Sequence, residues 1–120
     1  QGDSRSLSNY FRRVECCVTE PYLGPYFKKY PKYDEALNVI KDLERLYLNV
    51  FPELDKVIEK RLVILLPIIK TTAKKDLKLN MDKLIQGTNF KIAQFDGIKI
   101  PIIYANKGAI VEREIWILEK

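Results

Sequence analysis

Eight apolar residues in a row, Leu62 to Ile69, are bracketed by Arg61 and Lys70. A run of that length must be buried, so everything else in the chain has to wrap around it. Upstream, Leu54, Val57, Ile58, Arg61, Leu62, Leu65 and Leu66 recur at helical spacing, which predicts a helix that Pro67 kinks or ends. Arg61 lies on the apolar stripe of that helix. A guanidinium there needs a carboxylate, a carbonyl or a bound anion, because an unpaired buried charge is costly.

The preceding segment carries the clearest periodicity. Asp34 is suited to an N-cap, and Leu37, Ile40, Leu43, Leu46, Tyr47 and Val50 form one apolar face. Phe51-Pro52 breaks this helix, with Pro52 opening the next. Asn80 and Gly87 bracket a short helix over Met81 to Gln86. Phe90 to Phe95, Asp96-Gly97 and Ile98 to Tyr104 read as a hairpin with a tight turn. Asn106-Lys107-Gly108 is a second turn, and Ala109 to Leu118 alternates like a strand. Tyr10 to Val18 reads as a short helix or an extended segment. Pro21 to Tyr33 is an aromatic loop. The expected fold class is α+β: a helical bundle of about 3–5 helices followed by a small antiparallel β-hairpin or sheet. The 120 residues are expected to form one domain, with 1–9 as a flexible lead-in.

Composition excludes much chemistry. Histidine is absent, which removes the usual general base and the commonest metal ligand. Cys16 and Cys17 are the only cysteines, and two thiols without histidine do not close a zinc site. No GxxxxGK[ST], GxGxxG or CxxC motif occurs. Catalytic and metal sites are therefore expected to be absent. No stretch is long and apolar enough for a membrane span and the first residues are polar, so a cytoplasmic protein without a membrane partner is expected.

The net charge of +5 points toward a polyanion. Residues 70 to 91 carry Lys70, Lys74, Lys75, Lys78, Lys83 and Lys91 against Asp76 and Asp82, an excess of four. A second basic stretch runs through Arg5, Arg12, Arg13, Lys28, Lys29 and Lys32. Lys70, Lys74, Lys75, Lys91 and Arg61 are thus candidate phosphate contacts. Tyr26 and Tyr30 lie among lysines, as base-stacking side chains do, but they equally suit packing or a protein interface. Trp116 shares a strand face with Glu112 and Glu114, where it would cover a pocket, meet a partner or close a sheet edge.

One resemblance bears on function. Arg61-Leu-Val-Ile-Leu-Leu-Pro-Ile-Ile-Lys70, Leu77-Lys-Leu-Asn-Met-Asp-Lys-Leu-Ile-Gln86 and Thr88-Asn-Phe-Lys-Ile-Ala-Gln-Phe-Asp-Gly97 are similar to the C-terminal domain of the large subunit of archaeal and eukaryotic primases. Lacking the four cluster cysteines, the chain resembles the PriX-like accessory primase subunit of some thermophilic archaea. The resemblance implies a non-catalytic subunit of a heterotrimeric DNA primase, with no iron–sulfur cluster or other cofactor and with ATP or GTP as a ligand. Its implied partners are the other primase subunits, the initiating nucleoside triphosphate, and a single-stranded DNA template or RNA–DNA primer. Arg61 would contact the triphosphate, and Lys91 would make a polar contact nearby. Two alternatives stand beside it: a small winged-helix-like DNA-binding protein, and a protein-interaction module without nucleic-acid binding.

Overall fold

The computed structural model describes residues 14–21, 24–105 and 108–120. The lead-in with Arg5, Arg12 and Arg13, Tyr22, and the Asn106-Lys107 part of the second turn lie outside the described residues. The chain order is β1 (Val14–Thr19), α1 (Tyr33–Val57), β2 (Ile58–Ile69), β3 (Leu77–Lys78), α2 (Met81–Ile85), β4 (Lys91–Ile92), β5 (Ile102–Tyr104) and β6 (Val111–Glu119). All six strands join one mixed sheet. This corrects the expected fold class, since a helical bundle followed by a hairpin is not what forms.

The correction turns on the apolar run. Ile58 to Ile69 is a strand, not a helix. Ile58, Val63, Ile64, Ile68 and Ile69 are β-branched, which favours the pleated backbone. A short, nearly continuous apolar stretch satisfies a central strand as well as a helix, so spacing alone does not separate the two. Pro67 also fits. On one flank β2 pairs with β1 as far as Ile64 and with β3 from Ile68, so Pro67 falls in the gap where no ladder bond is lost.

α1 is one helix where two were expected. Ala36, Ile40, Leu43, Tyr47, Val50, Phe51, Leu54 and Val57 form a buried stripe at three- and four-residue spacing. That stripe runs unbroken past Pro52, whose side chain is exposed. Packing on both sides of the proline outweighs a cost of roughly 3 kcal/mol for a mid-helix proline. The N-cap is Lys32 and makes no side-chain cap, while Asp34 and Glu35 sit in the first turn beside the positive helix end. For α2, the Asn80 side chain accepts a hydrogen bond from the Lys83 N–H at 3.3 Å.

α1 carries the chain from β1 to β2, which run parallel, the crossover that such a pair requires. β6 lies antiparallel along the other side of β2, from Arg61↔Glu119 to Ile69↔Val111. β4 and β5 both pair with the far edge of β6. The expected hairpin between 90–95 and 98–104 is therefore replaced by two short strands on a common partner. Only a single bridge, Phe95↔Ile98, closes the Asp96-Gly97 turn.

Both helices contribute to the core formed with Leu62, Ile64, Leu66 and Leu118. By strand alternation Val63, Leu65, Ile115 and Ile117 point to the opposite face, where they are half-buried. No described helix covers that face. Beside it Val18, on the edge strand β1, is 74% exposed.

Candidate functional site

In open sheets with parallel strands, ligands bind in the crevice beyond the carboxyl ends of those strands. Here that crevice is built by two segments. β1 ends at Thr19 and runs through Glu20 and Pro21 toward the loop 24–32. The start of β6 lies beside the carboxyl end of β2. Together Gly24, Pro25, Tyr26, Phe27 and Lys28 face Gly108 to Val111 and Arg113 across a cavity of about 530 Å³. The loop is pinned tightly to α1. Gly24 has φ +102°, and a Cβ there would come within 3.1 Å of a Val39 methyl, so only glycine fits without strain.

The polar anchor is an ion pair. Arg113 Nε donates to Glu20 Oε2 at 2.8 Å, joining the end of β1 to β6. Both side chains remain partly exposed, at 32% for Arg113 and 46% for Glu20. Tyr26 stands at the mouth, 87% exposed, while Phe27 packs against the core. A partly solvated carboxylate held by a guanidinium, beside an exposed ring and backbone walls, can receive a planar group that carries hydrogen-bond donors.

The predicted phosphate contacts fall at two ends of β2. Arg61, 46% exposed, lies 3.7 Å from Glu119, and its guanidinium stands 5.6 Å from the Phe95 ring centroid. Lys91 on β4 is in register with the same Glu119. Nine residues along the strand, roughly 30 Å at 3.3 Å per residue, separate this cluster from Lys70. Lys70 Nζ reaches Glu112 at 3.0 Å. That hydrogen bond, aided by the charges of Glu112, Tyr30 and Asp76, raises the Lys70 pKa against a smaller opposing effect of desolvation. Lys74, at φ 58°, and Lys75 are exposed on the following loop. Tyr30 is 48% exposed on the loop after β1. The structure thus gathers Lys70, Lys74, Lys75, Tyr26 and Tyr30 near the carboxyl ends of β1 and β2 and leaves Arg61 and Lys91 at the opposite end.

Trp116 is half-buried against the core, and its indole N–H donates to Glu114 Oε1 at 3.3 Å. Glu114 is fully buried, and the face that read as polar is the one turned toward the helices. Cys17 is half-buried, which raises its thiol pKa, and Cys16 is exposed. Among the described residues no group of His, Cys, Asp and Glu could hold a metal, and no helix is long and apolar enough to cross a membrane.

Sequence reasoning missed Glu20, Gly24 and Arg113. The available signal was Val14-Glu-Cys-Cys-Val-Thr19 followed at once by Glu20-Pro21-Tyr22 and Gly24-Pro25. That is a strand running into a turn with an acid at its carboxyl end.

No protein-family model and no curated protein sequence matches the chain. Solved structures do resemble it. TrmN from Thermus thermophilus superposes with a TM-score of 0.59 at 16% identity, over 100% of this chain and 27% of TrmN. TTHA0409, also from Thermus thermophilus and described as a candidate DNA modification methylase, superposes with a TM-score of 0.56 at 23% identity, over 99% of this chain and 52% of that one. A second structure of TTHA0409 gives a TM-score of 0.53 at 24% identity. TTHA0409 has also been solved with S-adenosyl-L-methionine. The chain therefore spans about a quarter to a half of the proteins whose fold it shares. This likeness overturns the resemblance to a primase large subunit. With it go the expectations of a non-catalytic subunit without a cofactor and of primase subunits, a nucleoside triphosphate and a template or primer as partners. The alternative of a DNA-binding protein is partly compatible with this fold, but a winged helix is not favoured, because α2 has five residues and buries Met81 and Leu84 in the core.

Proposed function

We propose that this chain forms the target-binding half of a nucleic-acid methyltransferase that uses S-adenosyl-L-methionine. The observation that carries the reading is the Glu20–Arg113 pair beside the cavity at the carboxyl ends of the parallel strands. Its support is the likeness of the whole chain to part of TrmN and of TTHA0409. Enzymes that modify a base take it out of the stack, hydrogen-bond its edge and stack it against aromatic or apolar side chains. Glu20 is the acceptor for an exocyclic amino group, Tyr26 is the stacking ring, and Arg113 positions the carboxylate. The lining does not fit the whole methyl donor. Among the described residues it contains no acidic side chain that could hold a ribose diol. The base is what these residues fit.

The test is transfer of tritiated methyl groups from S-adenosyl-L-methionine to unmodified RNA and to unmethylated DNA by the intact polypeptide. Glu20→Gln should lower kcat by about 100-fold or more, within the usual range for a group that handles a proton in the transition state. The KM for the donor should stay within about threefold, as expected when only transition-state contacts are removed. No transfer to either acceptor by the unaltered protein would end this reading.

A further inference from the structure

Two lysine-bearing loops meet, and one of them walls the cavity. The loop 24–32 carries Lys28, which lines the cavity, together with Lys29 and Lys32. The loop after β2 carries Lys74 and Lys75. The Thr72 N–H donates to the Pro31 carbonyl at 3.0 Å, and the buried Thr71 hydroxyl donates to the Lys75 carbonyl at 2.7 Å. The first bond ties the loops together and the second fixes the shape of the lysine-bearing turn. Lys28, Lys29, Lys32, Lys74 and Lys75 are all exposed, and none pairs with an acid among the described residues.

Most other cations of the fold are already matched. Lys70 is bound to Glu112, Lys78 lies near Glu114, Lys83 bonds Glu44 and Lys120 bonds Asp55. Of the acids in the two loop regions, Asp34 and Glu35 sit on the first turn of α1, where the positive helix end offsets them. Asp76 acts on Lys70. Among the described residues, positive charge is therefore left unpaired beside the cavity, with Tyr26 and Tyr30 exposed next to it.

We infer that this two-loop surface carries the unpaired strand that flanks the modified base, with its phosphates on the five lysines and a neighbouring base on Tyr30. The inference rests on the methyltransferase reading and names the shape of its substrate. Lysines neutralise phosphates and release counterions, while an exposed ring stacks any base. A duplex offers phosphates along its length but free base faces only at its two ends, so an unpaired strand uses both parts of the surface more fully.

Fluorescence anisotropy with labelled 20-nucleotide single-stranded RNA, single-stranded DNA of the same sequence and blunt duplex DNA tests this, without methyl donor, over a salt series. Single strands should bind more tightly than duplex, and the RNA and DNA arms identify which backbone is preferred. For five phosphates the slope of log K against log salt should be about −3.5, and Lys28→Gln with Lys75→Gln should flatten it by about 1.4. Tyr30→Ala should weaken single-strand binding about tenfold and leave the slope unchanged. Lys56→Gln, about 36 Å from Lys32 along α1, is the control and should change neither. Circular dichroism establishes that each variant is folded. A slope that the lysine pair leaves unchanged, or that Lys56→Gln flattens as much, would overturn the surface. Binding as inferred with no methyl transfer would sink the enzymatic reading alone. Methyl transfer with no effect of the lysine pair on binding would sink this inference alone.

Discussion

Glu114 is the most exacting residue in the sheet. Its carboxylate is fully buried, with Oε1 accepting from the Trp116 indole. Oε2 has no hydrogen bond, and Lys78 Nζ stands 3.6 Å away, close enough for an ion pair but too far to donate. Removing the carboxylate strands the indole N–H and leaves a void, so Glu114→Ala should destabilise the fold by about 2–4 kcal/mol. Glu114→Gln keeps an acceptor for the indole and removes the buried charge, and should stay within about 1 kcal/mol of the unaltered protein. Urea denaturation followed by tryptophan fluorescence reads both. At this scale the sequence was only partly legible. Glu112, Glu114 and Trp116 look like an outward face by residue type, but their register with Ile68, Leu66 and Ile64 turns them inward. Register is set across strands and has no local signature. Glu20 and Arg113 were hidden for the same reason, being 93 residues apart in the chain.

Among the elements, α1 was the most legible, because a buried stripe at helical period is a local pattern. Its extent was misjudged at Pro52, where the local rule for proline competes with packing on either side and loses. Pro52→Ala restores a backbone hydrogen bond on the exposed side of a helix that is already formed. It should raise stability by about 1–3 kcal/mol, measured by the urea midpoint. A fall in stability would mean that the proline is needed to shape the chain there. β2 was misread because apolar residues on both of its faces satisfy helical and extended templates together. The short strands β4 and β5 were placed near their correct residues, but the Asp-Gly turn suggested that they pair with each other. Their pairing with β6 depends on where β6 lies, which no short window contains.

For the molecule as a whole, helices clothe one face of the sheet and the described residues leave the other half-covered. Parallel strands are ordinarily buried on both faces. Val14 and Val18 on β1 are instead 41% and 74% exposed. The chain also spans only 27% and 52% of TrmN and TTHA0409. β2 is held along β6 over nine residue pairs, whereas among the described residues β1 pairs with β2 alone and forms an edge of the sheet. An edge strand with little apolar burial to hold it opens most readily. Amides of Val14–Thr19 should therefore exchange with deuterium at least about tenfold faster than those of Leu62–Leu66, a gap of about 1.4 kcal/mol in opening free energy by mass spectrometry. Equal protection would mean that β1 opens only when the whole sheet does. As the first strand to leave, β1 takes the acid at its end with it, so the Glu20–Arg113 pair would be the earliest thing lost on warming, before the helical face has begun to melt.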